Sequence, residues 1–289
     1  MSAQFGPAGN AESFSKVHKS SLAAPAWIAQ QGLDCYEYQC GKGVHVGEDT
    51  ARKLGEKARE AGIALSVHAP YFISLANPDP ESRAKTTNYV LESCFVAQVM
   101  GAERIVIHSG ALMKRSRQEA LDIAKETLKQ VLEACDRQGY GNITLCPETM
   151  GKINQLGDLD EVLTLCTLDE RLIPCIDFGH LYARSLGELE GEQACREMLD
   201  KVERVLGEER ASRFHSHFSR IEFTPNGGEK RHRTFADHGG FGPDWTPLAR
   251  EVARRGWSPT FICESAGTQA EDAVEMKRIY QGFCSSEEA

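Results

Sequence analysis

The chain alternates short apolar runs with longer stretches of helical polar–apolar spacing. Runs of four to eight apolar residues closed by Gly or by one polar residue read as buried strands. Residues 63–67, 104–107 and 143–147 are strand-like runs of this length, and the shorter strand-like runs 174–176, 214–216 and 261–263 end in the same way. Two earlier runs, ending near residue 7 and spanning 33–40, read as strands one and two. Between the strands lie helical patterns over 22–31 (capped by Ser21), 49–61 (stopped by Gly62) and about 78–100, opened by Pro78 and Pro80. Further helices are expected over 116–138, 158–168, 188–206, 245–255 and 269–281. The helix beginning at Ser116 carries Leu121, Ala124, Leu128, Val131, Leu132 and Cys135 at amphipathic spacing. Eight strands alternating with eight helices, without a linker-like break in composition, predict an α/β fold of one (β/α)8 TIM barrel. It is expected to span residues 1–289 as a single domain, with a frayed tail over about 282–289. Length alone would allow two domains, but barrels of 289 residues are ordinary.

The predicted strands end in a consistent way. Their tips carry His68, His108, Glu148, Asp177, His217 and Glu264, spaced by 40, 40, 29, 40 and 47 residues. Each interval is long enough for one strand, one helix and their loops. Residue types that bind metal therefore recur once per βα unit at one edge of the sheet. In this fold that edge carries the active site. His180, in the loop expected beyond Asp177, adds a further imidazole. Crowded carboxylates are destabilising unless cations accompany them. The set exceeds what one tetrahedral zinc needs, which predicts two or three ions, with zinc first and manganese the alternative. Glu148 is the carboxylate placed to bridge them, and clustered ions suit phosphodiester chemistry.

His215 and His217 share one face of their strand. His217, nearer the tip, is the expected ligand, and His215 lies deeper behind it. The segment 220–244 contains five Gly and two Pro and reads as one long functional connection. It offers His232 and Glu229 as further ligands, with Asp237 and His238 in reserve. Basic residues at the same rim, namely Lys114, Arg115, Arg117, Lys230, Arg231 and Arg233, are candidate phosphate contacts.

The bulk numbers set the context. Hydrophobic content of 41% and charged content of 26% are those of a globular protein. The ten cysteines are scattered, with no Cys-x-x-Cys pair, which predicts a reduced, cytoplasmic protein. No apolar run approaches the roughly 20 residues needed to span a bilayer, and no signal peptide is expected. The net charge of −9 argues against a polyanionic partner. Three divalent ions would reduce it to about −3.

The tips His68-Ala-Pro-Tyr71, His108-Ser-Gly, Glu148-Thr, Asp177-Phe-Gly-His180, His217-Phe-Ser and Glu264-Ser-Ala resemble the endonuclease IV family of zinc-dependent apurinic/apyrimidinic endonucleases. This family belongs to the xylose-isomerase-like barrels, and the resemblance covers about residues 5–281. It implies a trinuclear zinc site. His68, His108 and Glu148 would hold one ion, and Glu148, Asp177, His217 and Glu264 the second. His180, His232 and a loop carboxylate would hold the third. It also implies cleavage of damaged double-stranded DNA 5′ to abasic sites, through a metal-bound hydroxide, by a monomer. Glu148 and Glu264 would be the catalytic carboxylates, and Tyr71 would reach the minor groove. Two departures stand out. The family's Asp-x-His would put a carboxylate at position 230, where this chain has Lys230 beside Glu229. The family's intercalating loop is not recognisable around residues 39–46. The competing expectations are a one-metal sugar isomerase or epimerase on the same barrel, and a non-catalytic binder of metal or lesions.

Overall fold

The computed structural model describes residues 2–286. Its centre is a sheet of eight parallel strands: β1 (Gln4–Pro7), β2 (Cys35–Gln39), β3 (Ala64–His68), β4 (Arg104–His108), β5 (Thr144–Glu148), β6 (Cys175–Asp177), β7 (His215–Phe218) and β10 (Thr260–Cys263). Their order is β1-β10-β7-β6-β5-β4-β3-β2, so each strand lies beside its neighbours in sequence. The two ends meet through a parallel bridge between Ala8 and Glu37. Main-chain bonds from Asp34 N to Phe5 O (2.8 Å) and Gly9 N to Glu37 O (2.9 Å) complete the seam. Closure needs glycine at position 6, because a Cβ there would lie 1.8 Å from the Cys35 carbonyl oxygen. The fold is a TIM barrel, as the alternation of patterns predicts.

Helices cover the barrel: α3 (Glu48–Ala61), α4 (Pro80–Met100), α5 (Arg117–Arg137), α6 (Leu159–Cys166), α8 (Gly191–Leu206), α10 (Trp245–Arg255) and α11 (Gln269–Ser286), together with α2 (Ala24–Gln30). Their boundaries follow local chemistry. Asp79 accepts from Ser82 N ahead of Pro80, and Ser116–Glu119 and Asp158–Glu161 each form a reciprocal capping box. Gly62 and Gly101 take the left-handed conformation that ends a helix, at φ 70° and 75°. One continuous apolar core fills the space between strands and helices, with Phe5, Phe214, Trp245 and Phe261 packed together. A separate small cluster of Val106, Cys146, Ile173 and Cys175 plugs the barrel interior.

Four expectations need correction. The segment 220–244 is not one open connection. It folds into an antiparallel hairpin, β8 (Arg220–Thr224) and β9 (Gly228–Arg233). Three short helices were not expected, α1 (Glu12–Val17), α7 (Phe178–Arg184) and α9 (Glu208–Ala211). The helix expected over 22–31 divides into a 3-10 turn, Ser21–Ala23, and α2, and Ser20 rather than Ser21 makes the capping bond. Helix α11 continues to Ser286, so residues 282–286 are helical; residues 287–289 lie outside the described residues. All ten cysteines are free thiols, nine of them buried. Among the described residues no helix is long and apolar enough to cross a membrane.

Candidate metal centre

Strand β6 ends at Asp177, and the chain turns straight into helix α7 (Phe178–Arg184). His180 therefore stands in a first helical turn, not in a loop. Asp177 causes this: its Oδ1 accepts from His180 N at 2.7 Å, capping the helix. The other oxygen, Oδ2, is buried without a hydrogen-bond partner and lies 3.3 Å from His180 Nδ1.

Glu148, at the tip of β5, is the hub. Its Oε2 lies 3.0 Å from His108 Nε2 and 3.4 Å from His68 Nε2. Its Oε1 lies 3.0 Å from His217 Nδ1 and 3.6 Å from His180 Nδ1. Three of these rings have an assigned proton, because a carbonyl can only accept. His68 Nδ1–H donates to Ala69 O (2.7 Å), His108 Nδ1–H to Tyr71 O (3.2 Å) and His180 Nδ1–H to Thr149 O (2.8 Å). In the neutral rings the Nε2 lone pairs then face carboxylate oxygens, an arrangement that a cation relieves. Ligating imidazoles are commonly oriented in this way. Glu148 Oε2 accordingly sits beside two ring nitrogens yet makes no hydrogen bond. The donor set fits zinc or manganese.

Burial opposes charge on Glu148, but His217, His108 and His68 outweigh it and hold its pKa well below the ordinary carboxylate range. Burial likewise works against a proton on His180, yet Asp177, Glu229 and Glu148 raise its pKa to about 9. His68 and His217 are also shifted up against the penalty of burial, His68 chiefly by Glu148.

Four overlapping groups have donor atoms mutually within 4.8 Å: three at the mouth, namely His68, Glu148 and His217; Glu148, Asp177, His217 and Glu264; and His180, His232 and Glu264; and a deeper one of Cys175, His215 and His217. Glu229 lies beside the third group, its Oε2 3.5 Å from His180 Nε2. The hairpin explains how. The pairing steps from Glu222–Arg231 to Phe223–Glu229, which leaves Lys230 as the extra residue of a bulge. Glu229 and His232, three apart, thereby turn toward the same side. Gly151 makes room for Glu229 and His180: a Cβ there would lie 2.6 Å from Glu229 Cβ and 3.0 Å from both Glu229 Oε2 and His180 Cδ2.

The rim residues divide. Tyr71 is 53% exposed, stacks on His108 and donates to Gln39 Oε1 at 2.9 Å. Lys114 is exposed, with φ 65° in a loop that also presents Met113. Arg115 is half-buried beside it. Lys230 (2.5 Å), Arg231 (3.2 Å) and Arg233 all converge on Glu222. Arg117 does not face the mouth freely; it binds Glu161 and the carbonyls of Ile153 and Gln155. Asp237 accepts from Thr234 N, and His238 is exposed; neither belongs to a donor group. His215 lies deep under the mouth, fully buried against Glu37 at 2.9 Å.

Sequence reasoning gave no role to Glu37, Thr149, Gly151 or Ser219. The Thr149 carbonyl accepts the His180 Nδ1–H hydrogen bond, and its Oγ1 accepts from Asp177 N (2.8 Å). Ser219 Oγ meets His232 Nδ1 at 2.8 Å. Glu37 is a fully buried carboxylate in the middle of β2. Burial would raise its pKa, but His217 and His215 drive it well below the usual value. A carboxylate between Tyr36 and Tyr38, with Gln39 on its own strand face, was the available signal.

A barrel with clustered His and carboxylate donors at the C-terminal mouth defines the class. The chain belongs to the xylose isomerase-like TIM barrel family, whose model matches residues 25–280. An uncharacterized protein of Methanocaldococcus jannaschii is 34% identical over 253 residues, 88% of this chain and 89% of that protein. A probable endonuclease 4 of Acholeplasma laidlawii is 32% identical over 132 residues, 43% of this chain and 44% of its own length. Another, of Aster yellows witches'-broom phytoplasma, is 29% identical over 61% of this chain and 58% of its own length. Among solved structures, a D-tagatose 3-epimerase-like protein aligns at TM-score 0.74 and 18% identity, covering 99% of this chain and 100% of that one. Endonuclease IV from Thermus thermophilus aligns at TM-score 0.67 and 18% identity, over 99% and 100%. Endonuclease 4-like and sugar epimerase-like proteins thus share this barrel.

Proposed function

We propose that this protein is a multinuclear metal-dependent phosphodiesterase that cleaves DNA beside abasic sites, as an endonuclease 4 relative. The observation that carries this reading is the donor count. Three overlapping groups at the mouth share Glu148, His217 and Glu264, which is more than one ion can use. Bound divalent ions would supply a nucleophile at neutral pH and stabilise both oxygens of a phosphodiester in displacement. The chain's own residues set the stage for that chemistry. Glu148 and Glu264 belong to two groups each and would be shared between neighbouring ions. Tyr71, Phe72, Met113 and Ile153 expose apolar surface on loops that follow barrel strands, suited to stacking on or wedging into a base-paired substrate. Lys114 and Arg115 lie on one of these loops and suit phosphate contacts.

The test is nicking of a duplex carrying one abasic site by zinc-loaded protein, with metal per chain measured by elemental analysis. Two or three ions with nicking support the reading; one ion without nicking removes it. The set Glu148, Asp177, His217 and Glu264 alone could hold a single ion for sugar isomerisation, and that second reading requires the one-ion result.

A further inference from the structure

We infer that Glu37, a residue of β2 on the barrel floor, is the positioning residue that commits His217 to binding metal through Nδ1. The inference rests on the metal-centre reading above and not on DNA being the substrate.

His217 presents its two ring nitrogens to two different compartments. Nδ1 faces the mouth, where in the metal-free protein it donates to Glu148 Oε1 at 3.0 Å, a hydrogen that a cation would displace, and it lies 3.6 Å from Glu264 Oε2. Nε2 faces the floor, 2.9 Å from Glu37 Oε1 but without full hydrogen-bond alignment. A ring that gives Nδ1 to a cation must keep its hydrogen on Nε2. Glu37 is the anion placed to take that hydrogen. This reverses the pattern of His68, His108 and His180, which donate Nδ1–H to carbonyls and turn Nε2 to the cleft.

Glu37 is itself held from several sides. Its Oε2 accepts from Ser66 Oγ (2.9 Å) and faces His215 Nε2 (2.9 Å), and its Oε1 accepts from Gln39 Nε2 (3.1 Å). These contacts fix the carboxylate's rotamer and leave it no role as a ligand. They also give His215 a purpose: it braces Glu37 from below. A carboxylate behind a ligating imidazole fixes the tautomer and raises the ring's basicity, and its loss typically weakens metal binding about 10–100-fold.

The first experiment compares zinc affinity of the full-length wild type and Glu37→Gln by competition with a chromophoric chelator. Circular dichroism of both metal-free proteins checks that the isosteric change leaves the fold intact. The expected result is at least tenfold weaker binding of the tightest ion; equal affinity overturns the inference. The second experiment needs no folded variant at this position. In zinc-loaded wild type, long-range 15N–1H correlation spectra, assigned with His217→Gln, should show His217 with its hydrogen on Nε2. A hydrogen on Nδ1 overturns the inference. Zinc binding that weakens in Glu37→Gln while wild type fails to nick DNA would defeat the nuclease reading alone. Nicking by wild type with unchanged zinc affinity in the variant would defeat the inference alone.

Discussion

Glu229 Oε2 lies 3.5 Å from His180 Nε2, although the family resemblance puts the ligating carboxylate one position later, at Lys230. The bulge at Lys230 resolves this, because one inserted residue turns Glu229 toward the mouth while Lys230 points to Glu222 at 2.5 Å. Glu229→Gln should therefore cost about one zinc per chain by elemental analysis, while Lys230→Ala should cost none. Deleting Lys230 shortens the spacing to Glu-x-His, removes the bulge and should retain the ion. Loss of zinc from Lys230→Ala but not from Glu229→Gln would refute the assignment.

Removing metal should destabilise the protein. Glu148, Asp177, Glu264 and Glu229 converge on one mouth, and without metal only protons on the imidazoles offset them. An ion at a free concentration about a thousandfold above its Kd contributes about 4 kcal/mol. For a chain of this size each kcal/mol corresponds to about 2–4 °C. Chelation should lower Tm by on the order of 10 °C in differential scanning calorimetry, and added zinc should restore it. A Tm indifferent to chelator contradicts the metal centre.

Glu222 holds the hairpin's cations. Lys230, Arg233 and Arg231 bring its carboxyl down to about 2. Its folded pKa is depressed, so its contribution to hairpin order is present above the usual carboxylate pKa and is lost as pH falls through about 2. Glu222→Gln releases cations toward the mouth. Binding to duplex DNA should tighten at low salt, and the log–log salt dependence should steepen by about one for each cation freed. Fluorescence anisotropy across a salt series measures this. An unchanged slope would mean that these residues do not meet phosphate.

The strand tips were legible because parallel strands buried on both faces read as continuous apolar runs, so His68, His108, Glu148, Asp177, His217 and Glu264 each ended a visible pattern. The β8–β9 hairpin was hidden because β9 carries no apolar side chain, and the alternation of β8, Arg220-Ile221-Glu222-Phe223-Thr224, is only five residues long. The helix containing His180 was missed because a short helix capped by Asp177 has too little period to read. Glu37 was missed because tertiary partners alone make a buried carboxylate tolerable, and these come from β3 and β7.

Zinc binding should release protons, and His180 shows why. In the metal-free protein Asp177, Glu229 and Glu148 overcome burial and raise its pKa to about 9. A folded pKa above the unfolded value contributes stability that is fully present below about pH 6.5 and disappears as pH rises through about 9. The metal-free protein should therefore lose stability over this window. Zinc takes the place of the proton, so the zinc-loaded protein should lose less, and the gap in Tm between the two forms should widen from about pH 7 to about pH 9. The proton itself is countable. Titration calorimetry at about pH 7 in buffers of different ionisation enthalpy should give observed enthalpies that vary linearly between buffers, with a slope of about one proton per zinc entering the His180 group. His180→Gln should reduce that slope. A wild-type enthalpy independent of buffer would show that the imidazole is already neutral and that the neighbouring carboxylates do not hold a proton there.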